Sequence, residues 1–303
     1  MANQSVNFGS FIDDHGLPPA FAESIDRCFL PFANWLEQRV AAQSSRTMVL
    51  GINGAQGTGK STVADFLRHV LTTEFARHVA VISLDDLYLT QAERQRRATD
   101  VHPLLATRGV PGTHAVNLGV DVIQRLQALE VGESMTLPRF DKAQDDRLPR
   151  DQWPNATGPI DLVILEGWCI SSPPGGDDEL DEPINALESE HDATGAWRRF
   201  VNDALRVDYG SLFELIDALL VIQAPSFDAI SDWRLKQEHK LRQRAGNDAP
   251  GVMSEAAVLD FIQYFERITR RNLKELPAVA DAVIQLNHEH QAISLSLDSA
   301  LKE

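Results

Sequence analysis

The residues that declare their chemistry most openly are Gly54-Ala55-Gln56-Gly57-Thr58-Gly59-Lys60-Ser61, with Thr62 directly after them. They satisfy G-x-x-x-x-G-K-[ST] at every position, with an apolar strand-like run before and a helical pattern after. Glycines let the backbone curl so that successive N–H groups converge on phosphate oxygens. The first turn of the following helix adds its positive end to the same place. Lys60 is of the type that reaches the outer phosphates, and Ser61 of the type that holds Mg²⁺. Residues 54–62 are therefore expected to cradle a nucleotide and its metal. The chain contains no N-K-x-D guanine signature, which favours ATP.

Two sets of carboxylates follow apolar runs. One run ends in Asp85-Asp86-Leu87-Tyr88 and another in Glu166-Gly167-Trp168. Ligands of open parallel sheets gather beyond the carboxyl ends of the strands, so both sets are expected beside the phosphate cradle. There Glu166 or Asp85 can bind the metal with Ser61. Another carboxylate can accept a proton from a hydroxyl attacking the γ-phosphorus. Asp85, its neighbour Asp86 and Lys60 are the catalytic candidates. Tyr88 and the irregular stretches 99–115 and 138–159, which carry Arg108, His114, Arg139, Lys142 and Arg147, are candidates for the acceptor pocket. Arginine grips a carboxylate or a phosphate in two-pronged fashion, so this set points to an anionic acceptor. The competing expectation is ordinary surface pairing, Arg139 with Asp141 and Arg147 with Asp145 or Asp146.

These residues need a frame. Short apolar runs at Thr47–Ile52, Val79–Leu84, Asp161–Leu165, Ala218–Ile222 and Ala282–Leu286 read as strands buried on both faces. Helical patterns separate them: the segment after the cradle to about Arg77, then Val116–Leu129, Trp197–Val207, Phe227–Arg244 and Ser254–Leu273. Alternation of this kind predicts β-α-β units, hence a three-layer α/β sandwich with a mostly parallel sheet covered by helices on both faces. Residues 1–19 read as a loose lead-in. Phe21, Ile25, Phe29, Phe32 and Leu36 recur at helical spacing, so residues 1–45 are expected to lay a helix on a single domain spanning 46–303.

Composition narrows the partners. The 303 residues are 43% hydrophobic and 24% charged, ordinary for a globular chain, with a net charge of −16. That field disfavours nucleic acid and anionic membranes. Eight carboxylates and no Lys or Arg lie between Asp177 and Asp192, within a Pro/Gly-rich excursion at about 171–195. No apolar run approaches the ~20 residues of a membrane span. There is no leader-like start, and two cysteines make no disulfide framework, so a cytoplasmic protein with a small-molecule substrate is expected. The oligomeric state is left open.

In their order along the chain, the cradle, Ile82-Ser83-Leu84-Asp85-Asp86-Leu87-Tyr88-Leu89-Thr90, Arg108-Gly109-Val110-Pro111-Gly112-Thr113-His114, Leu137-Pro138-Arg139-Phe140-Asp141-Lys142, Leu165-Glu166-Gly167-Trp168 and Trp233-Arg234-Leu235-Lys236-Gln237-Glu238 resemble the D-glycerate 3-kinase-like branch of the phosphoribulokinase/uridine kinase/pantothenate kinase superfamily. The resemblance runs from about residue 47 to 290. It implies ATP- and Mg²⁺-dependent transfer to a hydroxyl of a small acceptor, glycerate foremost, with Asp85 as base and Glu166 beside the metal. It also implies a lid at about 227–245, whose cations, among them Lys240, Arg242 and Arg244, close over the phosphates. Another acceptor (a sugar phosphate, nucleoside or pantothenate-like molecule) or an ATP-binding sensor are the alternatives.

Overall fold

The computed structural model describes residues 8–43, 46–245 and 253–298. Its strands are β1 (Met48–Gly54), β2 (Val79–Ser83), β3 (Ser134–Thr136), β4 (Phe140–Asp141), β5 (Asp146–Arg147), β6 (Asn155–Thr157), β7 (Leu162–Gly167), β8 (Ala218–Gln223), β9 (Ala282–Leu286) and β10 (Ala292–Leu297). Strands composed almost wholly of apolar residues have little polar face to show to water. Accordingly β1 and β7 are buried along their whole length, inside a sheet of order β10-β9-β8-β1-β7-β2. All neighbours are parallel except β10, which pairs antiparallel with β9.

Alternation along the strands splits the interior into two cores. Met48, Leu50 and Ile52 of β1 face one core with Leu162, Ile164, Leu220 and Ile284. Val49, Val163, Leu165, Leu219 and Val221 face the other. The first core is covered by the helices Leu30–Ala42, Lys60–Phe75 and Phe227–Ala245, the second by Val116–Gln127 and Ala196–Val207. The helix Glu255–Glu275 feeds both, with Val258 and Ile262 in the first and Phe265 and Ile268 in the second. This is the layered α/β architecture expected from the sequence.

The structure departs from the expectation in several places. Residues 9–14 form a helix rather than a loose lead-in, because Phe8 and Phe11 bury their rings edge-on against Phe66 at 5.2 and 5.5 Å. The sixth strand, β10, lies at the sheet edge and is tied down where the Ala292 N–H donates to Ser24 Oγ at 3.1 Å. The stretch 138–159 contains the pair β4–β5, and its β6 joins β3 just before it, both antiparallel. A helix at Gln91–Asp100 precedes them, opened by a capping box in which Thr90 and Glu93 satisfy each other's backbone N–H groups.

The acidic excursion is mostly matched charge, although most of its carboxylates stay exposed. Asp192 and Arg198 form a fully buried pair at 3.1 Å, and Glu188 takes Arg267 at 2.5 Å. Glu179, Asp181 and Asp177 meet Arg271, Arg199 and Arg206. Buried carboxylates demand such partners, since an unpaired buried charge is costly.

Phe66 is fully buried on the helix that follows the cradle and meets the rings of Phe8, Phe11 and Phe29. Phe66→Ala is expected to cost about 3–5 kcal/mol of unfolding free energy by urea titration. An effect below about 1 kcal/mol would mean that the N-terminal segment does not pack there.

Candidate active site

The phosphate cradle follows from the end of β1. Gly59 has φ +84° and serves as N-cap of the helix Lys60–Phe75, a left-handed conformation that favours glycine. A Cβ on Gly54 would stand 2.5 Å from Thr58 Oγ1, so any side chain there would fill the loop. Thr58 closes the turn on the Ala55 carbonyl through its hydroxyl at 2.9 Å. Gln56, Gly57 and Lys60 are partly exposed, and Ser61 is exposed, at the head of the helix with Thr62.

Next to it, Ser61 Oγ donates to Glu166 Oε1 at 2.8 Å. Glu166 is 3% exposed, and its Oε2 has no hydrogen-bond partner in the protein. A buried carboxylate oxygen left open beside a cradle hydroxyl is the donor set a divalent cation fits. Mg²⁺ normally takes one or two protein oxygens and fills the rest with water and phosphate. Among the described residues no cluster of three His, Cys, Asp or Glu side chains is arranged for a metal held by protein alone.

Asp85 lies on the short helical turn Leu84–Leu87 directly after β2. Its Oδ1 accepts from the Tyr88 hydroxyl at 2.8 Å and its Oδ2 from Lys142 Nζ at 2.6 Å. Burial is the largest single influence on Asp85 and opposes ionisation. The charges of Lys142 and Lys60 and the two hydrogen bonds outweigh it and hold the carboxyl down at about 2. Asp85 is thus a carboxylate at any working pH. Asp86 differs: burial raises its pKa against the pull of Arg139. Its carboxylate is engaged by Arg139 and by the Phe140 N–H at 3.1 Å. Asp86 pins the loop before β4.

Ser61, Asp85, Asp86, Arg139, Lys142 and Glu166 line one cleft of about 700 Å³, which continues along the β2 edge to Arg77 and His78. Lys142 and Arg139 reach it from the β4 side. Arg108, His114 and Arg147 are placed differently. Arg108 pairs with Asp145, and Arg147 donates to the Tyr88 carbonyl at 2.7 Å. The pairings of Arg139 with Asp141 and of Arg147 with its neighbours that the sequence allowed give way to these longer-range contacts. His114 is 2% exposed, stacks on Tyr88 with centroids 4.6 Å apart, and shares its Nδ1 with the Tyr209 hydroxyl. Burial pushes its pKa down to about 3, against a weaker pull from Asp85, so the ring is neutral.

On the other flank, Trp233 is buried against the cradle, its Cβ 3.8 Å from where a Cβ on Gly57 would lie. Its indole N–H donates to the His288 carbonyl at 3.0 Å. Arg242 donates to the Met253 carbonyl at 2.7 Å, tying the helix Phe227–Ala245 to the segment after it. Arg234 sits beside Glu238. The side chains of Lys240 and Arg244 lie outside the described residues.

Two contributors escaped the sequence reading. Arg94 is fully buried and donates to the carbonyls of Leu89, Ala106 and Asp145 and to the Asp145 carboxylate, binding three segments beside the cleft. Its signal was the Thr90-x-x-Glu93 cap, which places a helix there. Tyr209, which braces His114, accepts from the Gly112 N–H at 3.3 Å and had no motif to announce it.

The model described as the phosphoribulokinase / uridine kinase family matches residues 49–170. The uncharacterized kinase mug58 of Schizosaccharomyces pombe is 33% identical over 234 residues, 73% of this chain and 79% of that protein. The chloroplastic D-glycerate 3-kinase of Arabidopsis thaliana is 30% identical over 253 residues, 78% of this chain but 52% of that protein, so the chain spans about half that enzyme's length. The solved D-glycerate 3-kinase of Cryptococcus neoformans has the same fold, with a TM-score of 0.74 at 24% identity, covering 89% of this chain and 99% of that one. Among the described residues no helix is long and apolar enough to cross a membrane.

The buried neutral His114 has a measurable consequence. The unfolded chain protonates this ring below about pH 6.5 while the native protein resists to about 3, so the unfolded state binds the extra proton between those values. Stability therefore declines as pH falls through that window, by up to ~1.4 kcal/mol per pH unit from this group. Urea unfolding of the protein and of His114→Phe across about pH 6 to 4 is expected to give a shallower slope for the variant. Equal slopes would place the titration elsewhere.

Proposed function

Because this chain belongs to the D-glycerate 3-kinase-like branch of the phosphoribulokinase/uridine kinase family, we propose that it transfers the γ-phosphoryl group of ATP to a hydroxyl of a small anionic acceptor, glycerate foremost. The observation that supports this most is the meeting of a phosphate cradle, a hydroxyl–carboxylate pair with an open oxygen, and a second, ionised carboxylate on one cleft.

The cradle amides and Lys60 bind the phosphates and offset their charge. Ser61 and Glu166 hold Mg²⁺, which when bound neutralises charge on the outer phosphates and orients them. Asp85 accepts the proton of the attacking hydroxyl at Oδ2, and Tyr88 fixes the carboxylate plane through Oδ1. Arg139 and Lys142 give the cleft wall the positive charge that an acidic acceptor needs. Closure of the helix Phe227–Ala245 over the phosphates, with Arg242 exchanging the Met253 carbonyl for a phosphate oxygen, excludes water. The length of the cleft along β2 favours, as a second reading, a longer acceptor such as a sugar phosphate.

A coupled ADP-release screen over hydroxy acids, sugar phosphates and nucleosides, with mass analysis of the product, tests the proposal. D-Glycerate is expected to stimulate ADP release and gain one phosphoryl group. Asp85→Asn is expected to lower kcat by at least ~10² with ATP affinity nearly intact, and Lys60→Ala to abolish turnover. ATP binding with no acceptor-dependent ADP release would identify a nucleotide sensor instead.

A further inference from the structure

Both oxygens of Asp85 are engaged, but the two partners differ in what it takes to remove them. Tyr88 is 5% exposed, wedged between His114 and Phe140, with ring centroids 4.6 and 5.3 Å away. Its hydroxyl cannot leave Oδ1 without unpacking that stack. Lys142 reaches Oδ2 from the turn between β4 and β5, with its side chain 59% exposed and a single contact to the carboxylate. The adjacent pair of Arg139 and Asp86 is the counter-example: Asp86 is only 12% exposed and also takes the Phe140 backbone N–H. Exposed lysine pairs are weak and entropically loose, and a buried, doubly bonded pair is not. Of the cations on the β2-end carboxylates, Lys142 is the one a ligand can draw away.

We propose that Lys142 is a specificity-determining gate: without acceptor it occupies Oδ2 of Asp85, and an acceptor bearing an anionic group recruits the ammonium and leaves that oxygen to the incoming hydroxyl. This rests on the reading of Asp85 as the proton acceptor. In the transfer, the acceptor oxygen bonds to the γ-phosphorus and the bond from that phosphorus to the β,γ-bridging oxygen breaks. Its electron pair leaves with ADP, and the hydroxyl proton passes to Oδ2. Water attacking in the same way would give ADP and inorganic phosphate. With the γ-phosphate already held by the cradle and Lys60, neither water nor a neutral polyol offers Lys142 a further anion, so the lysine stays on Oδ2 and both are poor nucleophiles here. One cation thus selects the charge of the acceptor and protects ATP from hydrolysis.

The test measures ADP release by the wild-type protein, Lys142→Met and Lys142→Arg with no acceptor, with glycerol, and with the hydroxy acid that the screen identifies. Lys142→Met is expected to raise acceptor-free and glycerol-dependent release by about 5-fold or more, while kcat/KM for the hydroxy acid falls at least ~10-fold. Lys142→Arg keeps the charge and is expected to retain the wild-type order of the three rates. A residue that only binds the acceptor's anion would lower the hydroxy-acid rate and leave the other two unmoved, and that result overturns the gate. Should Lys142→Met fail to fold, Lys142→Gln carries the same expectations. A wild-type protein with no acceptor-dependent release would instead overturn the kinase reading itself, so the two failures are distinguishable.

Discussion

The candidate site depends on the parallel backbone ladder that joins β2 to β7 and β7 to β1. In it Ser83 stands opposite Glu166, and Glu166 opposite Ile52. Three strands therefore finish at one level. The chain leaving β1 curls into the cradle, the chain leaving β2 turns at Asp85, and β7 brings Glu166 to the same edge. Side chains alternate between faces, so a slip of one residue in β7 would turn Glu166 away from Ser61 and leave a carboxylate without its hydroxyl. The apolar residues on both faces of β1 and β7 prevent that slip, because moving either strand would exchange two well-filled cores. Packing that looks remote from the chemistry sets its geometry.

Charge is distributed with the same economy. The chain is strongly acidic, yet its longest acidic stretch is met by arginines from the helices Ala196–Val207 and Glu255–Glu275. Arg139 and Lys142 stand over Asp86 and Asp85, and Lys60 lies close enough to influence Asp85. A polyanion approaching this edge meets cations first, despite the sign of the whole molecule.

How much of this was readable beforehand differs by element. The cradle, the carboxylates at the ends of β2 and β7 and the five parallel strands were visible because each carries a local signature: a glycine spacing, acidic residues after an apolar run, or continuous hydrophobicity. The edge strand β10 was missed although Ala292–Leu297 partly alternates, since half-exposed strands look like loops in composition. The assignments of Arg108, Arg147 and His114 could not be resolved from sequence at all. Their partners, Asp145, the Tyr88 carbonyl and Tyr209, are brought near by tertiary packing, and a cation's type does not say whether it faces a ligand or a backbone oxygen. The same blindness hid the fate of the acidic excursion, whose arginines lie up to 92 positions away.

Arg94 carries a wider implication. Its guanidinium sits in the interior and is neutralised and satisfied by oxygens from the turns at 89, 106 and 145. Those oxygens converge only while the connecting segments keep their present number of residues. An insertion or deletion in either segment would strand a permanent cation without acceptors, a far heavier penalty than most single substitutions. The lengths of the loops beside the candidate cleft are thereby constrained along with the side chains they carry.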